Sequence, residues 1–297
     1  MNGTAMHLGK LGRTLLSLVA LLALAPSAPA QDAPYTFNVL NQRTVALTSQ
    51  YWNPILLYVS RKSGVPLELR LARTTKEADA LGEQGAYHFL YTNHFFTPER
   101  DKLGFRVLAR PVSPGLRGAI VVRADSPLKT LHDLTGREIA FANPEAFAGY
   151  WLPMDALMRA KIAVKPVFMS NQEAALAQLR FGSVPAVGAN ALIAERYSRR
   201  EGLDHRILWT SEVYNDLAIM ANPKVPAAKA NAVRDAFVGM LHDPEGRKIL
   251  EAGAELLKMH QIGFVAATDR DYDNYRTFFK RTPVKPQPET VGPGKAQ

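Results

Sequence analysis

From residue 35 onward, short apolar runs alternate with helical stretches, and they do so in two successive series. That alternation constrains the fold more than any other feature. In the first series, residues 35–40, 65–71, 88–91, 105–109 and 119–123 read as strands. Helices are expected at 51–63, stopped by Gly64, and at 74–81. A second series opens with a short turn at 131–134 and Gly136. Strands at 137–141, 165–169, 185–189 and 207–209 then alternate with helices at 146–160, 172–181 and 191–200. One more strand is expected at 217–221, and after it the chain reads as helical at 227–241, 244–254 and 269–280. Strands alternating with helices give α/β layers. The expected fold class is therefore α/β with two lobes, each a mainly parallel sheet flanked by helices. Lobe 1 should hold 31–122, with 218–282 returning to it, and lobe 2 should hold 123–217. The last fifteen residues, 283–297, contain four prolines and almost no apolar side chain, so a disordered tail is expected there.

The first thirty residues read as an export leader. Lys10 and Arg13 form a basic start, residues 14–25 are an uncharged and mostly apolar run, and Ala28-Pro29-Ala30 offers a small-x-small cleavage site. Twelve helical residues span ~18 Å, short of the ~30 Å hydrocarbon core, so cleavage after Ala30 is expected in place of anchoring. The expected compartment is the periplasm. With no cysteine, the chain has no disulfide, no thiolate and no lipid-modified cysteine. A freely diffusing monomer is expected.

The formal charge of +9 raises the question of nucleic acid. The basic residues are scattered, with tight pairs such as Arg61-Lys62 and Arg199-Arg200, so a solvated basic surface and no nucleic-acid partner are expected. A weak bias toward an anionic solute remains. The histidines at 88, 94, 132, 205, 242 and 260 lack ligand spacing, and no metal or cofactor is expected. No nucleophile elbow or glycine-rich phosphate loop occurs. Paired acids such as Asp269 and Asp271 fall at a helix start, where they cap.

Three stretches carry more specific information: Phe89-Leu90-Tyr91-Thr92-Asn93-His94; residues 136–150 with Pro153; and residues 171–176 followed by Trp209-Thr210-Ser211 and Asn215-Asp216-Leu217-Ala218. Together and in this order they resemble the phosphate/phosphite/phosphonate-binding periplasmic proteins of ABC transporters. The resemblance implies two α/β lobes joined by two crossover strands, with a ligand between them and hinges near 118–124 and 214–220. It implies a cleft that receives Tyr91, Thr92 and Asn93 from lobe 1, the helix start Glu145, Ala146, Phe147, Ala148 and Gly149, then Asn171, and Asp216 near the return crossover. Asn190 opens a helix after strand 185–189, where it caps, and is counted with the cleft. A helix N-terminus cradles anions through its free N–H groups.

Relatives that hold phosphonate carry Ser-Thr-Ser where this chain has Ala146-Phe147-Ala148, and a histidine near position 171, here Asn171. Poor binding of phosphate and short alkylphosphonates is therefore expected, and better binding of a small organic anion. The partner implied is the membrane permease of an ABC importer. Two other roles stay open on the sequence: a receptor that docks on a membrane sensor, and an enzyme on the same two-lobed fold, against which the absence of a catalytic constellation counts.

Overall fold

The computed structural model describes Met1 and residues 33–40, 42–259 and 262–286. The expected leader, but for Met1, and residues 287–297 of the expected tail lie outside them. Along the chain the strands are β1 (Tyr35–Val39), β2 (Leu67–Leu69), β3 (Phe89–Thr92), β4 (Arg106–Pro111), β5 (Gly118–Arg123), β6 (Glu138–Phe141), β7 (Lys165–Phe168), β8 (Ala186–Asn190), β9 (His205–Thr210), β10 (Ala218–Ala221) and β11 (Phe264–Ala266). The α-helices are α1 (Val45–Ser63), α2 (Thr75–Glu83), α3 (Pro98–Asp101), α4 (Leu152–Arg159), α5 (Gln172–Arg180), α6 (Ala191–Glu201), α7 (Ala227–Gly239), α8 (Pro244–Leu257) and α9 (Asp273–Arg281).

Two sheets form, in the orders β11-β4-β10-β3-β1-β2 and β7-β6-β8-β5-β9. The sheets are mixed, where the sequence led us to expect mainly parallel ones. β2, β1 and β3 run parallel, as do β7, β6 and β8, because helices return the chain between them. β10 is antiparallel to β3 and β4, and β5 is antiparallel to β8 and β9. Each enters its sheet directly from the other lobe, without the helical crossover a parallel partner needs. β5, β8 and β10 are the buried centres, which is why GAIVVR, AVGAN and AIMA read as continuous small or apolar runs.

The lobe boundary also moves. Residues up to 122 were expected in lobe 1, but Gly118–Arg123 is hydrogen-bonded into the second sheet. The crossings are therefore 112–117 and 211–217. They pair with each other: the Leu116 N–H donates to the Tyr214 carbonyl at 2.8 Å, and the Tyr214 N–H to the Leu116 carbonyl at 2.9 Å. At the far end, Val284 is buried against the core, so the packed chain runs past the expected start of the tail.

The helix expected at 146–160 begins as a π-turn, Phe147–Trp151, and continues as α4. Glycines seat this turn on the sheet. A Cβ at Gly188 would lie 2.4 Å from the Phe141 ring and 2.8 Å from the Gly149 carbonyl oxygen, and one at Gly118 would lie 2.6 Å from Leu152. Phe147 is buried among aromatic rings of the chain's end, with centroids 4.3 Å from Tyr275, 5.2 Å from Phe278 and 5.5 Å from Phe279. One apolar cluster thus runs from Leu90 and Phe96 beside the first sheet to Ile139 and Phe141 of the second.

Candidate functional site

The parallel halves of both sheets point their carboxyl ends into the gap between the lobes, where open α/β sheets bind ligands. Helices begin there as well. Thr44 accepts from the Leu47 N–H at 3.3 Å to start α1, and Thr74 from the Glu77 N–H at 3.1 Å to start α2. On the other side, Asn171 Oδ1 accepts from the Ala174 N–H at 2.9 Å to start α5, and Asn190 Oδ1 from the Leu192 N–H at 2.9 Å to start α6. With the π-turn after Ala146, several positive helix ends converge.

A small cavity of about 30 Å³ lies among these starts, bordered by Asn93, His94, Asn143, Ala146, Phe147, Ala148, Asn171, Gln172 and Asn190. Donors are prominent in its polar lining. Asn143 Oδ1 accepts from the Glu145 N–H at 2.9 Å, and Gln172 Oε1 from the Asn190 N–H at 2.6 Å. With Asn171 and Asn190, four amide oxygens are thus taken up by backbone N–H groups. Each of those side chains also carries an NH₂, a donor, that of Asn171 lying 3.4 Å from the Ser170 hydroxyl. The N–H groups of Phe147, Ala148 and Gly149 precede the first intrahelical bond of their turn, which makes them donors too. His94 at the border is fixed by Asp79, Nδ1 to Oδ2 2.9 Å, and Asp79 is fixed by Arg100 at 3.1 Å.

A larger cavity of about 230 Å³ adjoins the first, and Gln42 and Asn190 line both. Its walls are aromatic and charged. Trp52 and Tyr91 lie 4.7 Å apart between ring centroids, and Tyr51 meets Trp52 edge-on at 5.5 Å. Arg43, Arg196 and Asp216 complete the lining that matters here. Burial pushes the Tyr91 phenol well above its ordinary range, with the Asp216 charge adding to it, so the hydroxyl is a neutral donor. Burial, then the like charge of Arg43, pushes the Arg196 guanidinium down. Asp216 is positioned by its neighbours: its Oδ1 accepts from the Leu217 N–H at 2.8 Å, and its carbonyl accepts from the Tyr272 hydroxyl at 2.6 Å.

The residues expected in the cleft divide accordingly. Asn93, Ala146, Phe147, Ala148 and Asn171 border the small cavity, Tyr91 and Asp216 the larger one, and Asn190 both. Thr92, Glu145 and Gly149 border neither. Thr92 is buried with its hydroxyl accepting from the His94 N–H at 3.1 Å. Glu145 turns toward Arg100, 3.6 Å away across the lobes. Gly149 packs under the Gln172 side chain. Sequence reasoning missed Gln42, Arg43, Trp52, Gln172 and Arg196. The adjacent caps Thr44 and Asn171 mark Arg43 and Gln172 as flanking helix starts, but Trp52 and Arg196 lie within helices and read as core and surface.

Two α/β lobes joined by two paired crossings, with a donor-lined gap between them, define a solute-binding receptor. The chain belongs to the family of periplasmic substrate-binding proteins of phosphonate ABC transporters, which it matches over residues 37–272. A binding-protein component of a phosphonate ABC transporter from Pseudomonas aeruginosa superposes with a TM-score of 0.72 at 16% identity, over 83% of this chain and 86% of its own. PhnD1 from Prochlorococcus marinus, in complex with methylphosphonate, gives 0.69 at 13% identity, over 83% and 97%. Identities this low bear on the fold alone. In sequence, 159 residues are 28% identical to the tetrathionate sensor histidine kinase TtrS of Salmonella typhimurium. They make up 50% of this chain and 26% of that protein, so this chain spans about a quarter of the relative's length.

Proposed function

We propose that this receptor binds a small anionic solute between its lobes and delivers it to the permease of an ABC importer, acting as a periplasmic monomer released by cleavage after Ala30, without catalysis of its own. The observation that carries the anion is the gathering of amide and helix N–H donors at the small cavity. Four amide oxygens are engaged by backbone N–H groups, which leaves NH₂ and helix N–H groups facing a solute. The proposed contacts are Tyr91, Asn93, the 146–148 backbone, Asn171, Asn190 and Asp216. Thr92, Glu145 and Gly149 support them from behind.

Phosphonate itself fits poorly. Ala146 and Ala148 bring no hydroxyl to the cavity, and Phe147 is committed to packing between the lobes. A sensing role is the second reading, favoured by the partial likeness to a tetrathionate sensor kinase. A thermal-shift series on the protein beginning at Gln31 tests the first reading with methylphosphonate, phosphate, sulfate, tetrathionate, acetate and succinate. A ligand at ~100 times its Kd adds ~2.7 kcal/mol of stability. Stabilisation by one or more of these anions supports the reading, and stabilisation by none of them overturns it. Loss of uptake of that solute on gene deletion separates transport from sensing.

A further inference from the structure

Arg43 and Arg196 have no part in the small cavity, yet they come together from opposite lobes. Arg43 lies between β1 and α1, and Arg196 lies on α6. Both line the 230 Å³ cavity, and both line a second, outer cavity of about 80 Å³, so they stand where the two meet. The neighbouring guanidiniums are engaged: Arg199 with Glu195, and Arg200 with Glu173 at 3.1 Å and Glu201 at 2.8 Å. Neither Arg43 nor Arg196 makes a hydrogen bond or ion pair among the described residues. Two half-buried like charges lining one cavity raise the energy of the form that brings them together, and of the two carboxylates there, Asp216 and Glu195, the second is engaged by Arg199. An oxyanion held between the two guanidinium forks would offset that cost.

We infer that the cleft takes a two-headed anion: one end rests on the amide and backbone donors of the small cavity, the other is held between Arg43 and Arg196, and an apolar middle lies against Trp52 and Tyr91. The inference rests on the anion-receptor reading above and goes further in assigning a second seat. Continuity of the two cavities at Gln42 and Asn190 gives one ligand access to both seats. A single-centred anion fills one seat and leaves the arginine pair opposed. The ligand class is thus a linear dianion with its charges on separate centres, and the arginine pair makes closure dependent on it.

Calorimetry with oxalate, succinate, glutarate and adipate as two-headed probes of graded length, and acetate and methylphosphonate as single-headed ones, tests the second seat. In the wild type, one dicarboxylate should bind at least ~10-fold more tightly than acetate. R43Q and R196Q should each weaken it by ~10- to 100-fold, as loss of a charged hydrogen bond does, while acetate changes little. Dicarboxylate and acetate binding that is indifferent to both arginines overturns the two-headed inference and leaves the anion-receptor reading standing. Binding of none of the probes overturns the two-headed inference, and the thermal-shift series then decides the anion-receptor reading. A second measurement needs no ligand. R196E puts a carboxylate opposite Arg43, and small-angle scattering should find the ligand-free variant more compact than the ligand-free wild type. An equal radius overturns the role of the arginine pair in closure.

Discussion

The inner and outer ends of the cleft are built from different materials. At the inner end, donors come from backbone and amides, four amide oxygens are occupied, and Phe147 seals the space by packing on Tyr275 and Phe278. At the outer end, Trp52 and Tyr91 form an apolar wall and Arg43 and Arg196 bring full charge. The inner arrangement is a by-product of helix starts on parallel sheets, and any chain of this fold has some version of it. The outer arrangement depends on individual side chains. Under the proposed function, the contrast assigns anion affinity to the architecture and discrimination among anions to a few residues on α1, α6 and the loops beside them.

The largest effect should come from opening the seal. F147A removes a buried ring that touches several others across the lobes, and such truncations cost ~3–5 kcal/mol. Thermal denaturation should show a loss of that order. If Phe147 were a ligand wall and not a seal, stability would hold and only affinity would fall.

Next comes conversion of the inner end. A146S together with A148S supplies hydroxyls at the cavity border and leaves Phe147 in its aromatic setting, where a threonine would bury a hydroxyl among rings. Each hydroxyl that reaches a phosphonate oxygen contributes ~1.5–3 kcal/mol, so methylphosphonate affinity should rise at least ~10-fold by calorimetry. No gain would place the phosphonate-like seat elsewhere. A smaller change tests the junction. N190A removes the cap of α6, worth ~0.5–2 kcal/mol of stability. Because Asn190 lines both cavities, single-headed and two-headed anions should weaken alike; selective loss of one class would assign Asn190 to a single end.

The period of apolar residues made the layers legible, and the caps and glycines made many helix ends so. Gly64 closes α1 with φ 68°, and Asn190 caps as its place after a strand implies. Strand direction was not legible, because GAIVVR reads the same whether the strand enters over a hinge or after a helix. For the same reason the lobe that holds β5 was not legible. The site was half legible. Tyr91, Asn93, Asn171 and Asp216 sit next to strand ends or crossings, where position alone announces a cleft. Arg196 lies one and a half turns into an amphipathic helix, where a lone arginine looks like any solvated cation, and only the approach of Arg43 from the other lobe gives it meaning. Phe147 was expected at the cavity and does border it, but its four aromatic neighbours come from Tyr214 and the last helix, too distant in sequence for any local pattern to show.

The smallest effect should come from pH, and it bears on how dry the outer end is. Burial raises the Tyr91 phenol well above the ordinary 10.0, and Tyr275, behind the seal, is raised in the same way. A folded-state pKa above the unfolded value means that the folded protein holds its proton longer. The stability this contributes is fully present below pH 10 and is lost as pH rises through the folded value. Melting temperature should therefore respond to these two groups only above pH 10, and Y91F should flatten that alkaline decline by removing one of them. Ultraviolet titration gives the direct reading: the wild-type minus Y91F difference should show a phenol ionising above pH 10. A difference curve centred at the ordinary value would mean that water reaches Tyr91 freely. The aromatic wall would then be no drier than the surface, and the contrast between the two ends would rest on the arginine pair alone.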